Sequence, residues 1–136
     1  MIENTNKLNL SITSTPDNLK CVGEIIDELG LYNKLSQDEV ANIELVLGEA
    51  ISNAIMHGNK CNSNKVVDVT AFIDESTLKI TVKDEGDGFN YNAVPDPTLP
   101  ENIEKPTGRG VFLMKQFCDY VVFENNGSCV ELNFKF

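Results

Sequence analysis

The residues best able to do chemistry together stand in three short stretches: Asp84-Glu85-Gly86-Asp87-Gly88-Phe89, the series Glu49, Asn53, His57, and Gly108-Arg109-Gly110. In the first, two glycines one residue apart let the backbone take positive φ and let a ligand approach the main chain, while Asp84 offers a carboxylate. Read alone, Asp-Gly between two apolar runs is equally a hairpin signal. Glu49 and Asn53, four apart, lie one above the other on a helix, with His57 one turn further on. Taken by themselves they also read as a solvated surface pair. Jointly, the three stretches supply what a magnesium–nucleotide site needs. Asp84 can accept a hydrogen bond from the exocyclic amine of adenine, which distinguishes adenine from guanine. Glycine-rich turns and the N-terminus of a helix after Gly110 present N–H groups and a positive dipole end to phosphate oxygens. Asn53 offers a neutral oxygen to Mg²⁺, and Glu49 can order or deprotonate an attacking hydroxyl. Lys105 and Arg109 bring positive charge to the place where a transferring phosphoryl group develops negative charge.

Competing motifs lack their residues. There is no G-x-x-x-x-G-K-[ST], and Gly108-Arg109-Gly110 is followed by Leu113 where a dinucleotide fingerprint requires a third glycine. Counted as an EF-hand loop, the Asp84 stretch has the wrong oxygen spacing and Pro95 at its twelfth position. His57 is the single histidine, which leaves no His-rich metal site.

Periodicity predicts the elements that position these stretches. Lys7 to Thr13 alternates as a half-buried strand through Leu8, Leu10 and Ile12. Thr15-Pro16-Asp17 then predicts a helix start, with Leu19, Val22, Ile26 and Leu29 at helical spacing before Gly30. Ser36 and Glu39 form a capping box that opens a long helix to about His57, with Gly58 at its C′ position. Val66 to Ile73 and Thr77 to Lys83 read as a hairpin about Asp74-Glu75-Ser76. The Asp84 stretch closes the second strand and leads into Asn90 to Thr107, punctuated by Pro95, Pro97, Pro100 and Pro106, a length and composition typical of a lid or binding loop. Val111, Met114, Phe117 and Cys118 mark an amphipathic helix after Gly110. A final hairpin, Tyr120 to Glu124 and Ser128 to Phe136, turns at Asn125-Asn126-Gly127.

A chain of 136 residues is the size of one domain. Its formal charge of −10 argues against a nucleic-acid partner, because phosphate backbones are held mainly by Lys and Arg. Cys21, Cys61, Cys118 and Cys129 have no C-x-x-C spacing and read as free thiols of a reducing compartment. No apolar run approaches the roughly 18 residues of a membrane helix, and the first residues lack a signal-peptide pattern, so the expected location is the cytoplasm, with no membrane partner.

Glu49-x-x-x-Asn53-Ala54-x-x-His57-Gly58, Asp84-x-Gly86-x-Gly88-Phe89 and Gly108-x-Gly110-Val111-Phe112-Leu113-Met114 resemble the N box and the two glycine boxes of the GHKL ATPase superfamily, which includes gyrases and histidine kinases. The branch most similar in length and element order is that of the small bacterial anti-sigma factor serine/threonine kinases, and the resemblance spans nearly the whole chain. It implies one domain, 1–136, an α/β two-layer sandwich with helices on one face of a mixed, largely antiparallel sheet. It implies ATP and Mg²⁺ as cofactors, with adenine on Asp84, Mg²⁺ on Asn53 and, through water, on Glu49, and Glu49 as catalytic base assisted by Arg109 and Lys105. The nucleotide would further touch His57, Gly86 and Gly88, then Thr107, Gly108, Arg109, Gly110 and Val111 at the second glycine box. Ser128 would supply a water-mediated contact near the base. The implied partners are an antagonist protein carrying the phosphoacceptor Ser or Thr, a sigma factor that is sequestered, and a second copy in a homodimer. The chain departs from the pattern at Pro106-Thr107, where kinases of this branch can carry an Arg. A module that binds ATP as a switch and transfers nothing therefore stands beside the kinase. A detached histidine-kinase ATP domain is a third reading, weakened by the lack of a phosphoacceptor helix.

Overall fold

The computed structural model describes residues 6–88 and 106–136. Strand β1 (Asn6–Thr13) pairs with β2 (Val66–Ile73), and β2 pairs with β3 (Thr77–Lys83). After helix α4 (Pro106–Phe117), β4 (Tyr120–Glu124) and β5 (Cys129–Lys135) complete a sheet of order β1-β2-β3-β5-β4. Every one of these pairings is antiparallel, and the sheet with its helices is the α/β sandwich on a mixed, largely antiparallel sheet that the resemblance implies, carried to the fully antiparallel case. The crossover through α4 does bring β4 back parallel to β3, but β5 inserts between them, so the two never share hydrogen bonds.

The strand periodicity of two sorts side chains cleanly between the faces. Rows such as Ala71–Ile80–Leu132 and Val69–Val82–Val130 run across adjacent strands and are buried beneath the helices. Those helices are α1 (Cys21–Glu28), the short α2 (Leu31–Lys34), α3 (Gln37–Asn53) and α4, whose apolar stripes contribute Ile25, Ile26, Leu47, Ile51 and Met114 to the same core. The opposite face carries Thr70, Phe72, Lys79, Thr81 and Glu131, with a Lys79–Glu131 ion pair at 3.3 Å. Asn133 lies on this second face, only 5% exposed, and its Nδ2 has no hydrogen-bond partner among the described residues.

Three local expectations are modified. The helix predicted from Pro16 begins as a tight 3₁₀ turn (Pro16–Lys20); Thr15 has extended backbone but no capping bond, and Asn18 Nδ2 instead donates to the Thr13 carbonyl at 2.8 Å. Gly30, at φ 71°, ends α1 as expected and immediately starts α2, whose Leu31 is fully buried. The capping box is present, with both bonds at 3.1 Å, but α3 does not run unbroken to a left-handed Gly58. It ends at Asn53 and continues as one π-helical turn, Ala54–Gly58, closed by the Asn59 N–H on the Ala54 carbonyl at 2.8 Å. The reversal falls on Lys60 and Cys61, at φ 54° and 56°. Widened turns of this kind are frequent at functional sites because they re-aim the residues they contain.

The four cysteines are free thiols, three of them buried. Burial, with Asp119 nearby, pushes the Cys118 thiol up to about 12, so it behaves as a packed apolar group.

Candidate nucleotide-binding site

A cavity of about 140 Å³ opens among the end of α3, its π turn, the ends of β3 and β5, and α4. Ala50, Ala54, Val82, Met114, Phe123 and Val130 give it apolar walls, and Asn53, His57, Asp84 and Ser128 add polar atoms. An apolar slot with a few convergent polar groups is what a planar heterocycle requires. Among these walls, Phe123 has no sequence signal beyond ordinary core spacing, whereas Met114 closes the second glycine-rich motif.

Asp84 is held from both sides. Its N–H donates to the Ser128 carbonyl at 2.9 Å, and its Oδ1 accepts from the Gly86 N–H at 2.7 Å. Burial raises its pKa, against the lowering effects of the Gly86 N–H and the nearby Lys65 charge. Ser128 is buried, and its hydroxyl donates to the Asn125 carbonyl at 3.0 Å, which leaves the oxygen lone pairs to accept.

The glycines of the three motifs make room for one another. A methyl group on Gly58 would lie 2.3 Å from the Asp84 carboxylate, and one on Gly86 would lie 2.2 Å from the Gly58 carbonyl oxygen. On Gly88, at φ +82°, it would lie 2.0 Å from the Asn126 carbonyl oxygen. Gly58 is thus required by close approach to Asp84 rather than by a left-handed helix end. Asp-Gly here is not a simple hairpin, because Gly88 packs against the turn that joins β4 to β5.

A methyl group on Gly110 would lie 2.9 Å from Asn53 Nδ2 and 3.0 Å from Glu49 Oε2. Both side chains therefore face the first turns of α4, whose leading N–H groups have no intrahelical partners. The helix itself begins at Pro106, so Gly108-Arg109-Gly110 lies inside its opening turns rather than ahead of it; proline at the first helical position is the physical reason. Thr107 and Gly108 belong to this helix, Arg109 is exposed, and Val111 is buried. His57 is exposed and lines the cavity mouth. Phe89, Lys105 and the proline-rich stretch expected as a lid lie outside the described residues. Among the described residues no three His, Cys, Asp or Glu side chains cluster to hold a metal. A hard cation at this end of the cavity would take Asn53, water-bridged Glu49 and phosphate oxygens, as Mg²⁺ does in sites completed by its nucleotide.

The arrangement can hold a purine edge on a carboxylate, phosphates at a helix N-terminus, and a carboxylate beside them. Asn59 is the residue that sequence reading missed: it is 1% exposed, and its side chain donates to Ser14 Oγ and the Val66 carbonyl and accepts from the Glu85 N–H. Its only sequence signal is an Asn directly after the glycine that ends the helical pattern.

Residues 12–134 match the family described as histidine kinase-like ATPase domain. The chain is also 31% identical over 127 residues to the anti-sigma F factors of Bacillus thuringiensis (strain Al Hakam) and Bacillus mycoides (strain KBAB4), covering 90% of this chain and 86% of each relative. The anti-sigma F factor of Bacillus cereus (strain AH187) shows the same identity and coverage. Both similarities span nearly all of the described residues: the chain belongs to the histidine kinase-like ATPase domain family.

Proposed function

We propose that this protein is an ATP-dependent serine/threonine kinase of the anti-sigma type, which phosphorylates an antagonist protein and sequesters a sigma factor in the cytoplasm. The observation that carries the reading is the placement of Glu49 Oε2 and Asn53 Nδ2 about Gly110, 3.0 and 2.9 Å from where its side chain would begin. That brings a carboxylate and a carboxamide to one spot beside the opening turns of α4, which supports reading them as base and metal ligand. The anti-sigma F factor relatives support the choice of partners.

Bound Mg-ATP would supply the transferable phosphoryl group and the charge that offsets its oxygens. Asp84 would accept from the adenine amine, and Val82, Met114 and Phe123, which line the cavity with it, would enclose the ring and exclude water. The free N–H groups of the first turn of α4 receive phosphate oxygens. Asn53 would offer its carbonyl oxygen to the cation. Glu49 takes the proton of an incoming Ser or Thr hydroxyl, and Arg109 and Lys105 stabilise charge on the phosphoryl group. Transfer of label from ATP to a candidate antagonist tests the reading, and tight ATP binding without any transfer would replace it with the switch module. Pro106 opening α4 where an Arg can stand is what favours that second reading.

Asp84→Asn is expected to weaken ATP binding about tenfold to a hundredfold, because the amide opposes the adenine amine with a donor or a poorer acceptor. Calorimetry measures it. The pH response follows from the same group. Its raised folded pKa means that the stability Asp84 contributes to the free protein is present at low pH and lost as pH rises through that value. Adenine binding has the opposite sign, since it needs the carboxylate. ATP affinity of the wild type should therefore rise with pH across a window above 3.8, the ordinary value, and the part of that rise missing in Asp84→Asn belongs to this carboxyl.

A further inference from the structure

Beyond the groups that would touch the nucleotide, one buried side chain ties the purine-reading loop to the rest of the fold. The Asn59 carboxamide uses both donors and its acceptor: Nδ2 donates to Ser14 Oγ at 2.8 Å and to the Val66 carbonyl at 3.0 Å, and Oδ1 accepts from the Glu85 N–H at 2.7 Å. Its own N–H closes the π turn on Ala54. One side chain thus joins the end of β1, the start of β2, the turn after α3 and the peptide that follows Asp84. Glu85 is clamped a second time, its carboxylate accepting from the Val66 N–H at 2.7 Å. The backbone that carries the Asp84 side chain is pinned at its own N–H, on Ser128, and at the Glu85 N–H, on Asn59, which sets where the carboxylate starts from, beneath Gly58. A carboxylate selects adenine over guanine only if it stays where the exocyclic group arrives. Were the peptide free to rotate, Asp84 could swing away from the guanine carbonyl oxygen and the repulsion that rejects guanine would be relieved.

We propose that Asn59 is a positioning residue for purine discrimination: by holding the Glu85 peptide it fixes the Asp84 carboxylate, and so sets the preference for adenine over guanine nucleotides. The inference rests on the reading that Asp84 contacts the base.

The test is the ratio of GTP to ATP dissociation constants, measured with Mg²⁺ on the full chain carrying Asn59→Ala, Asn59→Asp, Asp84→Asn, and Asn59→Ala with Asp84→Asn. Both Asn59 variants lose the donors to Ser14 and Val66 and should melt lower, but only alanine loses the acceptor for Glu85. Asn59→Ala is expected to reduce the ratio about tenfold, while Asn59→Asp keeps it within about threefold. In the Asp84→Asn background, Asn59→Ala should change the ratio no further, because the two substitutions act on one contact. Equal loss of the ratio in Asn59→Ala and Asn59→Asp, or additive losses in the double variant, overturns the inference and leaves the base contact standing. A ratio unmoved by Asp84→Asn overturns the base contact, and the inference with it. If Asn59→Ala does not fold, Glu85→Ala, at an exposed side chain, removes the second clamp from the same peptide and must lower the ratio; an unchanged ratio then overturns the inference.

Discussion

Glu49→Gln is expected to lower phosphotransfer by on the order of 10²–10⁴ while ATP affinity stays within about threefold of wild type. The two side chains that face Gly110 have different duties, so they separate chemistry from binding. Asn53 would ligate the cation that travels with the nucleotide, and its loss in Asn53→Ala should weaken ATP binding and transfer together. Glu49 would meet the incoming hydroxyl and reach the cation only through water, and a neutral amide of the same shape keeps those contacts but cannot take the proton. Gln also keeps the fit against α4, since the Oε2 position stays filled 3.0 Å from where a Gly110 side chain would begin. Single-turnover transfer to an antagonist, with calorimetry on the same protein, reads both quantities. Wild-type transfer by Glu49→Gln would remove the base assignment. A parallel loss of affinity would mean that Glu49 binds the cation directly rather than through water. Sequestration of a sigma factor needs a protein surface and no proton transfer, so Glu49→Gln should hold that partner as the wild type does.

Strands and the capped helix were legible because one period each explains them. The alternation of β2 and β3 and the Asp74–Ser76 turn fix their pairing, and Ser36 with Glu39 fixes where α3 begins. What sequence could not supply is geometry that arises where segments distant in the chain meet. The π turn at Ala54–Gly58 leaves the apolar spacing almost unchanged, so nothing in the pattern distinguishes it from continued α-helix. Its consequence is large, because it brings Gly58 over Asp84, which is 26 positions further along in the printed sequence. Asn59 was hidden for the same reason. It reads as one more polar residue in a polar connection, and only the approach of Ser14, Val66 and Glu85 makes it a buried junction. The pattern puts the start of α4 after Gly110 because Pro106 reads as one of a run of loop prolines, whereas a proline at the first helical position is compatible with the helix that begins there.

Two glycine substitutions should fail in different ways, and the difference tests how the motifs interlock. In Gly58→Ala the new methyl meets the Asp84 carboxylate at 2.3 Å, the end of a side chain that can rotate away. The fold should survive with a melting temperature near wild type, but the displaced carboxylate no longer faces the base. ATP affinity is expected to fall about tenfold to a hundredfold, and with it the rise in melting temperature that saturating ATP produces. In Gly88→Ala the methyl meets backbone, the Asn126 carbonyl oxygen at 2.0 Å, and alanine is also forced to φ +82°. Neither atom can rotate aside, so the turn between β4 and β5 must shift or the residue must leave its left-handed conformation. Strain and overpacking of this kind cost roughly 2–4 kcal/mol together, which lowers the melting temperature by on the order of 10 °C with or without nucleotide. Thermal denaturation of both variants, with and without Mg-ATP, distinguishes the cases. If Gly88→Ala melts with the wild type, the loop does not pack against Asn126 in solution. If Gly58→Ala binds ATP normally, Asp84 does not read the base from beneath that glycine.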